Sequence, residues 1–177
     1  MNIQKFIFKF LIVLSYILRL AILILPIAIV VVISKEGGWK YGFTFIQNSI
    51  EVALFVSFAI GFLVAMYHAV SYEIVGEGPM ENYLKSSQSV RVTGSISLEK
   101  VKELLQVDEL YKEVKQSGNT LTLRRKVHML SADKIQIVKD ADAFEVDSKP
   151  FSKIWFIDFG RNFKNVSEIA KIIKRNK

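Results

Sequence analysis

Two long apolar runs, residues 6–34 and 49–70, fill most of the first seventy positions, and from residue 71 onward apolar and polar residues alternate. A helix needs about 20 consecutive apolar residues to cross the hydrocarbon core of a bilayer. Both runs meet that length, so the pattern predicts a transmembrane helical hairpin over residues 1–70, with spans at about 11–33 and 49–70. A cleaved secretory leader has an apolar region of only about 7–15 residues followed by small residues. The first run is longer and ends in Ile29-Val30-Val31-Val32-Ile33, so it reads as a retained span. Pro26 removes one backbone donor within it and predicts a kink.

The second run carries the sharpest periodicity in the chain. Ser49, Ala53, Ser57, Gly61, Ala65 and Ala69 recur every fourth position, which places six small residues along one winding stripe. In lipid the hydrophobic effect does not drive helices together, so close backbone approach must do so. Leu54, Phe55, Phe58, Phe62 and Leu63 occupy the other faces and suit lipid. The stripe either seats the first span of the same hairpin or mediates self-association or docking to another membrane subunit. Arg19 is the one charged residue deep in the first run. It either snorkels to lipid phosphate or forms an intramembrane polar site, for which His68 lies at a better depth than Glu51.

The connection between the runs holds Gly37-Gly38, which is turn chemistry, with Trp39 and Tyr41 as interfacial aromatics. Lys5, Lys9 and Arg19 before the loop, and Lys85 and Arg91 after the second run, favour both termini in the cytoplasm. The expected location is a bacterial inner membrane. Residues 71–88, with Gly76, Gly78-Pro79 and Ser86-Ser87, read as a linker to a soluble domain over 89–177.

In that domain Val90, Val92 and Ile96 alternate with polar residues as a half-buried strand. Ser97 reads as an N-cap, followed by Leu98, Val101, Leu104 and Leu105 on one helical face. Strands are predicted at 111–115 and 120–127 around the Gln116-Ser117-Gly118-Asn119 turn, then around Ile135 and Ile137, around Phe144 and Val146, and over the apolar segment 154–159. Asn165 with Glu168 three residues later reads as a capping box for a last helix bearing Val166, Ile169, Ile172 and Ile173. The predicted class is α+β: a transmembrane hairpin, then a small antiparallel sheet with two helices in the order β-α-β-β-β-β-α. That order resembles TATA-binding-protein repeats and small helix-grip domains. Two spans followed by a β-rich domain also resembles the plan of bacterial membrane-anchored PH-like proteins. Neither resemblance rests on a motif, so neither brings residues or an activity with it.

Composition narrows the chemistry. The chain has 177 residues and a net charge of +7, but from residue 71 onward 19 Lys+Arg face 15 Asp+Glu, leaving only +4. That balance argues against a nucleic-acid surface. The absence of cysteine excludes disulfides, thiolate metal sites and thiol nucleophiles, and the two histidines, His68 and His128, are far apart. Asp158, inside an apolar segment, is the best carboxylate candidate for acid–base chemistry, against a plain role at a strand end. His128 follows Arg124-Arg125-Lys126, which alternate across a strand and cannot share one face. Lys171, Lys174, Arg175 and Lys177 form a C-terminal basic cluster that can meet anionic lipid. No catalytic, cofactor or metal motif is present. The expected function is non-enzymatic: a tethered domain for protein interaction or membrane-surface association. Alternatives are a lipid or small-ligand sensor, its cavity lined by Phe144, Phe151, Trp155 and Phe156, and an accessory subunit of a larger membrane complex.

Overall fold

The computed structural model describes residues 3–35, 43–76, 78–128, 131–152 and 156–176. They form two compact units, Met1–Val70 and Ser71–Lys177. The loop with Gly37-Gly38, Trp39 and Tyr41 lies outside the described residues.

The first unit consists of α1 (Ile3–Lys35) and the greater part of α2 (Phe43–Val75), both long and apolar enough to cross a membrane. Thirty-three residues rise about 50 Å, more than the ~30 Å hydrocarbon core. Both helices therefore extend past the expected spans at each end. Pro26 is accommodated inside an unbroken α1. The burial pattern is inverted relative to a soluble bundle. Phe55 and Leu63 are 75% and 65% exposed, and Ile22, Leu23, Ile27 and Val30 also face outward. Within this unit the buried positions of α2 are small or polar instead.

The second unit begins with the last turn of α2. Tyr72 there is buried, stacked on Phe163 at 4.8 Å between ring centroids and edge-on to Tyr83 at 5.3 Å. A single 3₁₀ turn, Met80–Asn82, follows, and Leu84 is buried with a φ of 60°. Within the expected linker, Tyr72, Tyr83, Leu84 and Gln88 are buried. Gly76 and Pro79 flank the break between α2 and the 3₁₀ turn, and the aromatics on either side bury apolar surface.

A five-stranded antiparallel sheet follows, in the order β1-β5-β4-β3-β2: β1 (Gln88–Thr93), β2 (Tyr111–Ser117), β3 (Thr120–His128), β4 (Ser131–Asp140) and β5 (Ala143–Pro150). Helix α3 (Leu98–Val107) joins β1 to β2 across the sheet, and α4 (Arg161–Arg175) closes the chain against β1 and β5. This is the expected β-α-β-β-β-β-α order. Ser97 caps α3 as predicted, its side chain accepting from the Lys100 amide at 3.1 Å. Gly118, with φ 54°, turns the β2–β3 hairpin. Period-two alternation sends Leu121, Leu123, Ile135, Ile137, Phe144 and Val146 to one face, all fully buried. Val101 and Leu105 of α3 and Val166, Ile169 and Ile173 of α4 cover that face. Each such side chain contributes about 1.5–3 kcal/mol by leaving water.

The described residues of the expected final strand over 154–159 are not in a strand. Residues 156–158 are irregular, and Ile154 and Trp155 lie outside the described residues. A strand after β5 would pair at β5's free edge, but β1 already holds that edge. Helix α4 also starts earlier than expected. Gly160, with φ 72°, is its N-cap, and the Asp158 carboxylate accepts from the amides of Gly160 (3.2 Å) and Asn162 (2.9 Å). Asp158 thus does the work expected of Asn165, and Asn165 becomes a buried interior residue.

Candidate functional site

The seam of the first unit contains the predicted stripe. Ser49, Ala53, Ser57, Gly61, Ala65 and Ala69 are all buried. Gly61 permits close approach: a Cβ there would lie 3.0 Å from both the Ile17 carbonyl oxygen and the Ala21 amide nitrogen of α1. Ser57 satisfies its hydroxyl within its own helix, donating to the Ala53 carbonyl at 2.6 Å. The face of α1 that is buried includes Tyr16, Ile17, Leu20, Ala28 and Ile33.

The two polar residues singled out in this unit are not brought together. His68 is fully buried beside Tyr16, their ring centroids 5.4 Å apart, whereas Arg19 is exposed. The helical rotation explains this. At 3.6 residues per turn Arg19 is turned about 160° from Ile17 and about 100° from Leu20 around α1, which leaves it at the margin of the buried face.

In the second unit Lys171, Lys174 and Arg175 lie on the exposed face of α4, while Lys177 lies outside the described residues. The side chain of His128 also lies outside them. Phe144 is buried in the core, whereas Phe151 is 63% exposed beyond the other end of β5. The two lie at opposite ends of β5. Trp155 lies outside the described residues.

The densest polar arrangement was not anticipated. At one end of the inner sheet face the apolar side chains give way to Arg125 of β3, Asp133 of β4 and Ser148 of β5. Arg125 and Asp133 are directly opposite in the ladder. Helix α4 lays Arg161, Asn162, Asn165 and Glu168 over them. Arg161 grips the fully buried Asp133 with two bonds, Nε to Oδ2 at 2.7 Å and Nη2 to Oδ1 at 2.8 Å. Asn165 Nδ2 donates to Asp133 Oδ2 (3.1 Å) and to Ser148 Oγ (3.0 Å), and Ser148 Oγ donates to Asn162 Oδ1 (2.6 Å). Arg125 Nη1 donates to Asn165 Oδ1 and to Glu168 Oε2 (2.8 Å). Asn162 Nδ2 closes the chain on Asp158 Oδ2 at 2.9 Å. A bidentate Arg–carboxylate pair with a further donor on one oxygen is an arrangement that makes a buried charge tolerable.

Tyr111 borders this network, and burial pushes its phenol up to about 12, with the Arg125 guanidinium pulling the other way. Burial, reinforced by Glu73, likewise raises the Tyr83 phenol above its ordinary value. Chemically the network is closed. Asp133 and Asp158, its two buried carboxylates, each accept hydrogen bonds at both oxygens. The signal for it was present in the sequence as phase. Arg125, Asp133 and Ser148 share the alternation of the buried apolar residues in their strands, and Asn162 and Asn165 share the helical face of Val166 and Ile169.

An open cleft of about 310 Å³ lies at the other end of the sheet, lined by Leu98, Glu99, Gly118, Asn119, Lys139 and Ala141. Its polar groups serve the fold. Lys139 Nζ donates to the Ile96 carbonyl (3.0 Å), and Gln116 Nε2 donates to Glu99 (3.0 Å). Bonds to its own backbone amide and to Gln116 hold the Glu99 carboxyl below its ordinary value. Among the described residues no cluster of His, Cys, Asp and Glu is arranged to hold a metal ion. No family model, curated protein or solved structure matches the chain, so its geometry alone carries the functional reading.

Proposed function

We propose that this chain is a non-enzymatic protein anchored in a bacterial cytoplasmic membrane by the α1–α2 hairpin, with the second unit in the cytoplasm as an interaction module. The observation that carries the reading is the inverted first unit: large apolar side chains cover its exterior, while Gly61, Ser57, Ala53 and His68 are buried. Such a surface has no stable place in water. In lipid it is the expected partition, because small residues let helices approach and large ones meet the acyl chains. The closed network around Asp133 favours a structural over a catalytic role for the second unit. The mechanism is localisation, since tethering raises the domain's effective concentration for partners at the same membrane.

The chain has no cysteine, so single cysteines report topology cleanly. In right-side-out bacterial vesicles, Gln47→Cys should react with a membrane-impermeant maleimide, and Ser95→Cys should react only after permeabilisation. Labelling of both positions from the same side would refute the hairpin. The reverse pattern would refute only the cytoplasmic assignment.

A further inference from the structure

We propose that the outer face of the sheet, at the end carrying Lys112, Arg124, Lys134 and Lys149, binds the phosphate headgroups of an anionic bilayer; this deepens the membrane-anchor reading and rests on it. The ladder pairs Lys112 of β2 with Arg124 of β3, Arg124 with Lys134 of β4, and Lys134 with Lys149 of β5. Four cationic residues thus stand side by side on four neighbouring strands, whose backbones are spaced about 4.8 Å apart. They occupy the face away from the helices, because their chain neighbours Tyr111, Asp133 and Ser148 are buried on the other side. Lys126, two residues beyond Arg124, joins the same face and is exposed. Among the described residues one acid is paired with the row: Glu113 meets Arg124 at 3.1 Å on the surface. Like charges directly opposed in neighbouring strands destabilise a sheet. A bound polyanion removes that repulsion.

Apolar side chains border the row. The Phe151 amide donates to the Ala132 carbonyl (3.0 Å), Ala132 pairs with Lys126, and the Lys126 amide donates to the Leu110 carbonyl (3.2 Å). These bonds run along the sheet end from one exposed apolar residue, Phe151, to another, Leu110, with Val107 nearby in sequence and 84% exposed. The Arg124 guanidinium lies 4.8 Å from the centre of the Phe151 ring. Cations flanked by exposed apolar tips match a headgroup layer, where the tips enter the interface and the cations meet phosphate. The chain also enters this unit at the same end. Ser71 and Tyr72 pack against Gly160, and the adjacent Arg161 grips Asp133, the chain neighbour of Lys134.

The test uses the full chain in nanodiscs of phosphatidylcholine, with or without phosphatidylglycerol. An environment-sensitive fluorophore is placed on Val107→Cys, with Ser95→Cys as the control at the opposite end of the sheet and Phe55→Cys as the control for insertion. Nitroxide-bearing lipid should quench Phe55→Cys in both discs, Val107→Cys only in the anionic discs, and Ser95→Cys in neither. Combining Lys112→Glu with Lys134→Glu turns the row into alternating signs. That variant should lose docking by about fivefold for each charge removed while its melting temperature stays level or rises, which separates lost binding from lost folding. Equal quenching of Val107→Cys in the two lipids, or full docking by the double variant, would overturn the proposal. So would release from anionic discs by low concentrations of single-stranded DNA or inorganic phosphate, which would reassign the row to those anions. Absence of quenching at Phe55→Cys would overturn the hairpin reading and this proposal with it.

Discussion

Replacing Asp133 with alanine removes the acceptor on which three donor bonds converge: two from Arg161 and one from Asn165. Asp133 itself is fully buried, so no water replaces it at once, and the Arg161 guanidinium is left beside an apolar gap. Removing one partner of a buried ion pair costs about 3–5 kcal/mol. Arg161 keeps 27% of its side chain exposed and can turn partly toward water, which sets the expectation at the lower end, about 3 kcal/mol. For a unit of this size that is a fall of roughly 12–15 °C in melting temperature. The assay is thermal unfolding of the full chain in detergent, with amide exchange across β4 and α4 reporting on this unit specifically. A companion variant, Asp133→Leu with Arg161→Met and Asn165→Leu, removes both charges and the amide donor together. It should recover most of the loss, because no buried group is stranded. A loss below about 1 kcal/mol for Asp133→Ala would refute the claim that this network holds α4 to the sheet.

Gly61→Leu should separate α1 from α2 and reduce cross-linking between cysteines placed along the seam, because the added side chain meets backbone atoms at Ile17 and Ala21 that cannot move aside. Phe55→Leu on the exposed face should leave cross-linking unchanged. Ser97→Ala should cost about 1 kcal/mol in chemical unfolding through loss of the Lys100 amide's acceptor. Tyr111 is held neutral by burial, with its ionisation moved from 10.0 to about 12. Its raised value means that the folded form keeps its proton where the unfolded form has lost it. Its contribution is therefore complete below pH 10 and is lost as pH rises from about 10 toward 12, up to about 3 kcal/mol. Tyr111→Phe should flatten the alkaline fall in stability measured by denaturant titration.

The parts of the architecture that were legible in sequence depend on short spacing. A repeat of four positions placed the seam residues together, because one helix carries them all. The Ser97 cap and the Gly118 turn were legible because their partners lie within a few residues. What escaped the reading depends on distant partners. Nothing local indicates that β1 takes the edge beside β5, yet that pairing is what denies residues 156–158 a strand. Asn165 has the local grammar of a cap, but Asp158 was nearer the true helix start and the inner face needed Asn165's amide. Residues 71–88 have linker composition, but Tyr72, Tyr83 and Leu84 find burial within the second unit. The cationic row is invisible one strand at a time and emerges only when the registers of four strands are laid side by side.

The central claim, that the first unit spans a bilayer with its small-residue seam inward, is tested most directly by lipid-borne quenching along α2. Single fluorophores at Phe55→Cys and Leu63→Cys, on the outward face, should be strongly quenched by bromine-bearing acyl chains, while one at Ser57→Cys on the seam should be shielded. Equal quenching at all three positions would contradict the seam, and no quenching at Phe55→Cys or Leu63→Cys would contradict the membrane hairpin itself.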